Sequence, residues 1–363
     1  MLIGILGGGQ LGRMLALAGY PLGLSFRCLE TTADAPAGPL CDLQVGSFTD
    51  ETALARFVDG LDLVTYEFEN VPVASAEWLT HHRPVYPPPQ ALAAAQERLA
   101  EKNFFTQLSI PTPRFCAIDE SGQIDAALKE IGLPAVLKTR RMGYDGKGQL
   151  HIQKLEDAKH AWKRLGGVPL ILEEWIAFDR EVSILAVRSR TDEVAFYPLV
   201  ENHHRGGILR KSLAPAPGLT PELQKQAEQY AKAVLQALQY VGVLAIEFFQ
   251  VGNRLLANEM APRVHNSGHW TIEGAVTSQF ENHWRALLGW PLGDTATTGS
   301  VGMLNLIGHL PDPTALLQYP GLHLHQYGKQ PHPGRKVGHV TIVAPDEKSR
   351  TAALAPLVQL LPS

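Results

Sequence analysis

The chain has 363 residues, 45% of them hydrophobic, and a formal net charge of −4; that length exceeds what one core supports, so two or three domains are expected. The mild negative charge has no block of like sign, which leaves nucleic acid or an anionic membrane surface nothing to hold, and neither is an expected partner. No apolar run is long enough for a bilayer span, Met1 leads directly into a strand, and Cys28, Cys41 and Cys116 lack metal-ligand spacing, so reduced thiols in a cytoplasmic protein are expected.

Residues 1–85 alternate strand and helix: LIGIL, LSFRCLE, LQVGS and LDLVTYEF read as strands, the order of an open parallel sheet. Gly7, Gly9 and Gly12 follow the first strand as G-x-G-x-x-G and open the first helix. Free N–H groups and the positive end of a helix dipole suit an anion there. Glu30 stands about twenty residues on, where an acid meets a ribose hydroxyl in dinucleotide-binding folds. A dinucleotide, a plain phosphate cradle, and tight helix–strand packing without a ligand all remain open at this point. RPVYPPPQ (83–90) punctuates the region, because consecutive prolines continue neither a helix nor a central strand. One continuous helix is expected over ALAAAQERLAEKNFFTQLS (91–109). A smaller region then runs to residue 180 through AVLKTR, a glycine loop, GQLHIQ, a helix and PLILEEWI. The remainder has the strands EVSILAVR and EVAFYPLV, the helix PELQKQAEQYAKAVLQALQYVG, a hairpin, a polar loop, another helix and a β-rich tail.

KTRRMGYDGKGQ (138–149) places Gly143, Gly146 and Gly148 between two strands and lacks the Gly-Lys-Ser/Thr ending of a P-loop. Such a loop can fold over a polyphosphate and offer it backbone N–H groups, with the Lys138 ammonium beneath. The alternative is a plain basic hairpin loop. In VLAIEFFQVGNRLLANEM (243–260), a hairpin centred on Asn253 sets Glu247 and Glu259 opposite each other, on a face shared with Ala245, Phe249, Leu255 and Ala257. Like charges opposed on an apolar face are destabilising unless a cation joins them, and hard oxygen ligands beside phosphate suit Mg²⁺. A solvated hairpin edge is the other reading. Asn258 falls on the opposite pleat unless a bulge turns it in. Arg263, His265, Asn266 and Ser267 follow as a dense set of donors for oxyanions. Lys329, Arg335 and Lys336 share a basic turn, which is a phosphate site only if it folds back to the first glycine turn.

GGGQLGRML, GYDGKGQ, NEMAPRVHNSGHW, QFENHWRALLGWPL and PGRKVGH occur here in the order known from the ATP-grasp superfamily. Over nearly its whole length the chain resembles the 5-(carboxyamino)imidazole ribonucleotide synthetase family of purine biosynthesis. The resemblance implies an α/β and α+β ATP-grasp architecture: a Rossmann-like N-terminal domain (1–100), a central lid domain (101–180) and a C-terminal ATP-grasp domain (181–363). It implies ATP-dependent carboxylation of 5-aminoimidazole ribonucleotide by bicarbonate through carboxyphosphate, with ADP and phosphate released. ATP contacts are implied for Arg98, Lys138, Gly143, Tyr144, Asp145, Gly146, Lys147, Gly148, Glu173, Glu174, Trp175, Ile176, Glu181, His204, Asn258 and Glu259, and Mg²⁺ at Glu247 and Glu259. Lys147 stands where the family's loop commonly has arginine. Nucleotide-substrate contacts are implied for Gln10, Leu11, Glu67, Tyr144, Asp145, Arg263, His265, Asn266, Ser267, Lys329 and Arg335, with Lys138, Arg263, His265 and Asn266 as the catalytic groups. A homodimer is implied by the family alone. On this reading the first glycine turn holds the ribonucleotide's phosphate or ribose and not NAD. An NAD-dependent oxidoreductase leaves the second glycine loop and the paired glutamates unexplained. The related ATP-grasp enzyme that formylates glycinamide ribonucleotide has aspartate where Asn266 stands here; a neutral amide suits the weakly basic amine of aminoimidazole better.

Overall fold

Three sheets organise the chain, and the computed structural model describes residues 1–143 and 146–360. Tyr144 and Asp145, both expected at the site, lie outside the described residues. The first sheet is parallel, in the order β3–β2–β1–β4, from β1 (Leu2–Leu6), β2 (Ser25–Glu30), β3 (Asp42–Val45) and β4 (Leu63–Tyr66). Its central strand is apolar on both faces because helices cover both. α1 (Gln10–Gly19) packs on Ile3 and Ile5, while α2 (Glu51–Val58) and α3 (Val73–Thr80) pack on the side of Leu6 and Val64.

The single helix expected over 91–109 is two helices, α4 (Pro89–Ala95) and α5 (Arg98–Gln107). Glu97 takes extended backbone between them (φ −130°, ψ 115°), and its carboxylate accepts the Ala100 N–H at 2.7 Å. A side-chain oxygen meeting a free helical N–H is what caps a new helix, and the alanine-rich run around it conceals the cap.

The central sheet, β5–β8–β6–β7, is antiparallel: β5 (Phe115–Ile118), β6 (Ala135–Thr139), β7 (Gln149–Ile152) and β8 (Leu170–Glu174). α6 (Ile124–Ile131) buries Ile124, Ala127, Leu128 and Ile131 against it, a stripe at helical spacing, and the short α7 (Ala161–Arg164) adds Ala161.

The third sheet runs β14–β13–β9–β11–β12–β15–β17–β16, with β10 beside β9. Its strands are β9 (Arg180–Arg188), β10 (Val194–Phe196), β11 (Val200–Arg205), β12 (Ile208–Ala214), β13 (Gly242–Val251), β14 (Arg254–Ala261), β15 (Ser300–Ile307), β16 (Leu322–Gln326) and β17 (Lys336–Ala344). α8 (Pro221–Ala237) lays Leu223, Ala227, Ala231 and Val234 on one face, in a core that also takes Phe105 of α5. The short α9 (Thr271–Gly274) and α10 (Gln279–Leu288) lie on the other face. Trp284 of α10 donates its indole N–H to the Leu15 carbonyl at 2.8 Å, which joins the first sheet's α1 to the large sheet through a shared core.

Candidate active site

The site is built outward from the β13–β14 hairpin. Val251 pairs with Arg254 and the ladder continues to Phe248 opposite Ala257, after which the register shifts and Glu247 faces Glu259. The two-residue turn by itself would set Glu247 against Asn258, so the expected opposition is real but its cause is a β-bulge with Asn258 as the extra residue. The bulge also corrects the expected face. Leu255 and Ala257 turn into the core under α8, whereas Ala245, Phe249 and Ala261 stay on the side of the glutamates. Asn258 lines the cleft beside Glu259, and its buried Oδ1 has no hydrogen-bond partner among the described residues.

Burial and the charge of Glu259 push the Glu247 carboxyl well above the usual carboxylate range. Enclosure acts upward on Glu259 too, but Arg98, with Nη1 at 3.0 Å, holds it low. His204 contacts the Glu181 carboxylate; burial opposes its charge, yet Glu181 and Glu247 raise it to about 8. His265 has Nε2 at 3.7 Å from Glu247, and burial followed by Arg263 lowers it to about 3, so it is neutral at pH 7. Among the described residues no cluster of three or more His, Cys, Asp or Glu forms a ready-made metal cage. Two opposed carboxylates and an unpartnered amide oxygen nevertheless fit Mg²⁺, which is commonly held by one or two carboxylates together with substrate phosphates.

A cavity of about 520 Å³ opens between the central and large sheets, within the range of small-molecule sites. Its walls include Val136, Lys138, Gly146, Glu173, Glu174, Trp175, Ile176, Phe178, Glu181, His204, Phe249, Asn258 and Glu259. Phe178 stacks on Phe249 with ring centroids 4.8 Å apart, and Trp175 meets His151 edge-on at 4.9 Å, giving the cavity an aromatic end. Lys138 reaches Glu173 at 2.9 Å. The Glu173 carboxylate is 2% exposed; burial would raise it, but Lys102 and Lys138 hold it at about 2. Its side chain therefore anchors cations rather than presenting itself to a ligand, while Glu174 pairs with Arg114 at the rim. In the glycine loop, Gly146 and Gly148 have φ of +76° and +72°, and a Cβ on Gly146 would lie 2.9 Å from the Gly206 carbonyl oxygen. Lys147 lies on the outer side, with the basic turn.

A second cavity of about 210 Å³ lies further in, lined by Gln10, Leu11, Gly143, Arg263, His265, Asn266 and Lys336. Arg98, His204, Glu247 and Glu259 belong to the walls of both cavities, so the two meet at the glutamate pair. Arg263 is ion-paired with Glu69; burial acts against the Glu69 charge, but Arg263 holds it at about 2. Asn266 and Asn305 exchange amide hydrogen bonds of 3.0 and 2.7 Å. Lys329 donates to Gln10, so the basic turn with Arg335 and Lys336 does fold back to the first glycine turn.

Two expected substrate contacts are placed elsewhere. Ser267 is fully buried, accepts from Ser183 at 2.9 Å and lies 2.8 Å from His265 Nδ1, so its hydroxyl orients the imidazole from behind. Glu67 accepts the Gly9 and Gly12 N–H groups at 2.7 and 2.9 Å, while Glu30 accepts that of Gly8 at 2.9 Å. The Gly8, Gly9 and Gly12 donors of the turn are thus taken by the chain's own carboxylates, while Gln10 and Leu11 line the inner cavity. The cause is that β4 lies beside β1 in parallel, and its end delivers Glu67 to the turn. Sequence reasoning missed Glu69, Phe178, Asn305 and Lys102. Glu69 shares TYEFEN with Glu67 two residues away and could have been found; Asn305 and Lys102 carry no local signal.

A glycine hairpin on one sheet and a carboxylate pair on another, closing on one nucleotide-sized cleft, is the build of an ATP-grasp ligase. An ATP-grasp domain matches residues 103–280, a ribonucleotide synthetase preATP-grasp domain residues 1–96, and a phosphoribosylaminoimidazole carboxylase C-terminal domain residues 302–353. The N5-carboxyaminoimidazole ribonucleotide synthase of Pseudomonas aeruginosa is 50% identical over 99% of both chains. The crystal structure of N5-carboxyaminoimidazole ribonucleotide synthetase from Thermus thermophilus superposes with a TM-score of 0.96 at 60% identity, covering 99% of each chain. That of the Aspergillus clavatus synthase, in complex with ADP and 5-aminoimidazole ribonucleotide, gives 0.92 at 29% identity over 99% of this chain and 98% of the other. The chain belongs to the N5-carboxyaminoimidazole ribonucleotide synthase family.

Proposed function

We propose that this chain carboxylates the amine of 5-aminoimidazole ribonucleotide with ATP and bicarbonate, and that the residues assembled above do so in the roles the sequence suggested, apart from Glu67, Ser267 and the Glu173 side chain. The observation that carries this reading is the junction of the two cavities at Arg98, His204, Glu247 and Glu259. An ATP in the outer cavity would direct its terminal phosphate to the place where a second substrate, held in the inner cavity, can be reached.

Bicarbonate is a poor electrophile until phosphorylation makes it the mixed anhydride carboxyphosphate, and phosphoryl transfer asks a protein mainly for positioning and charge neutralisation. Lys138 and Arg98 supply positive charge on the ATP side, and Arg263 and Lys336 on the inner side. Mg²⁺ held by Glu247, Glu259 and Asn258 would neutralise the phosphate oxygens at the junction. His265 stays neutral and, fixed by Ser267, presents Nε2 to the inner cavity as a hydrogen-bonding group. As the amine nitrogen bonds to the carboxyl carbon, the carbon–oxygen bond to phosphate breaks and the amine's proton leaves with the phosphate. The glycine loop covers this intermediate against water.

The test is ADP release by purified protein with Mg-ATP and bicarbonate. Adding 5-aminoimidazole ribonucleotide should raise it strongly, and glycinamide ribonucleotide with formate should raise it little; no rise with the first sinks the reading. The proposal extends to domain limits at residues 100 and 180 and a homodimer, supported by the family resemblance, and to a cytoplasmic location, supported by three cysteines without metal-ligand spacing. Light scattering on the purified chain decides the second.

A further inference from the structure

We propose that Lys102 is a positioning residue for the cation-binding end of the site: its buried ammonium clamps the β14 bulge that turns Asn258 and Glu259 into the cleft. This rests on the reading of Glu247, Asn258 and Glu259 as cation ligands.

A bulge leaves backbone groups outside the ladder, and β14 is also the edge strand of its sheet, so its outward groups have no neighbouring strand among the described residues. The α5 segment takes the neighbour's place. The Lys102 ammonium donates to the carbonyls of Ala257 and Asn258, at 3.2 and 2.7 Å, the two peptide oxygens of the bulge itself. Glu101, the preceding residue, accepts the Met260 N–H at 2.7 Å, and the Ala257 N–H goes to the Pro111 carbonyl at 2.7 Å. One turn earlier on α5, Arg98 reaches the Glu259 carboxylate itself.

Lys102 is 1% exposed, and burying an ammonium is unfavourable unless its donors are met. An ammonium has three donors; two face the bulge carbonyls and the third faces Glu173 at 3.6 Å. Lys102 shares the neutralisation of Glu173 with Lys138 at 2.9 Å, whereas the contacts to the two bulge carbonyls are made by Lys102. What Lys102 adds is a hold on the two carbonyls of the bulge, which fixes the path of the chain through Ala257 and Asn258. That path decides whether Asn258 Oδ1 and the Glu259 carboxylate converge on one point. Through Glu173 the same ammonium ties the bulge to β8 of the central sheet.

The experiment is equilibrium ADP binding by the full chain, with excess Mg²⁺ and with EDTA, for wild type, Lys102→Met, Lys102→Gln and Glu259→Gln, each with a thermal melt. Support around a metal's ligands is commonly worth about 10–100-fold in affinity. Lys102→Met keeps the volume and removes every donor, so its Mg²⁺-dependent gain in ADP affinity should fall about tenfold, with affinity in EDTA within about twofold of wild type. Lys102→Gln retains an amide donor and should fall between the two. If Lys102→Met does not fold, Lys102→Gln decides: a loss of about threefold or more in the Mg²⁺-dependent gain supports the clamp, and anything smaller overturns it. A clear loss in Glu259→Gln with none in the folded Lys102 variants overturns the clamp and leaves the cation site standing. An unchanged gain in Glu259→Gln takes down both.

Discussion

Glu30 and Glu67 at the first glycine turn, and Glu247 and Glu259 in the β13–β14 hairpin, are two pairs of carboxylates enclosed by the same fold with opposite outcomes. At the turn, burial raises the Glu67 carboxyl, and the Gly12 and Gly9 N–H groups act against that rise. At the hairpin, burial raises Glu247 and the neighbouring Glu259 adds to the rise. The first pair is satisfied by the chain itself. In the second, Arg98 pairs with Glu259, while Glu247 faces the cavity near an amide oxygen that has no partner among the described residues. A glycine-rich strand–turn–helix can therefore have much of its donor set met by the chain itself, whereas the hairpin leaves Glu247 and the Asn258 amide oxygen to be met from the cavity.

The largest effect should come from the hairpin pair. Glu259→Gln should lower turnover about 100-fold or more, since it removes charge from the place where phosphate is neutralised. It also removes a like-charge conflict with Glu247, so the metal-free protein should melt no lower than wild type by more than the loss of the Arg98 pair. Steady-state ADP release beside a melt in EDTA measures both, and wild-type turnover would remove Glu259 from the site.

Glu67→Ala should behave in the opposite sense. It leaves the Gly9 and Gly12 N–H groups enclosed without acceptors, at about 1–3 kcal/mol. The loss should be the same with and without Mg²⁺, as read by urea titration. A variant as stable as wild type would mean that the turn's donors are not held by Glu67, and the contrast between the pairs would collapse.

Asn266→Asp should lower carboxylation about tenfold, the equivalent of the hydrogen bond it cannot donate to Asn305. A carboxylate there also repels bicarbonate, so the fall should appear chiefly as a raised KM for bicarbonate. An unchanged bicarbonate KM would confine Asn266 to holding Asn305.

The smallest effect is on pH-dependent stability. Glu247 is raised in the fold from 4.5 to about 7, so its ionisation disfavours the fold, and that penalty grows as pH rises through this window and vanishes below it. Glu173 is lowered to about 2, so its contribution is complete above 4.5 and is lost as pH falls toward 2. In EDTA, Glu247→Gln should therefore stabilise the chain at pH 8 by a few degrees and at pH 4.5 hardly at all. Equal shifts at both pH values would show that ionising Glu247 carries no penalty from burial or from Glu259.

Local periodicity and spacing determined a large part of this protein. The alternation of strands and helices in residues 1–85, the two strands flanking the second glycine loop and the glutamates of one β-hairpin were all legible, because each shows as periodicity or turn chemistry among residues close in the chain. The ordered motifs pointed to the family for the same reason. Tertiary structure decided the rest. Which donors of the glycine turn are already taken depended on Glu67, more than fifty residues away, arriving at the end of β4. Whether Asn258 joins Glu259 depended on a bulge whose carbonyls are held by Lys102, 155 and 156 residues distant. Arg263 found its counter-charge in Glu69, and Asn266 its amide partner in Asn305. Such contacts follow from which elements pack side by side, and no window of the chain carries that information; the hydrogen-bonding needs of an enclosed bulge or turn are met by whatever the packing brings within reach.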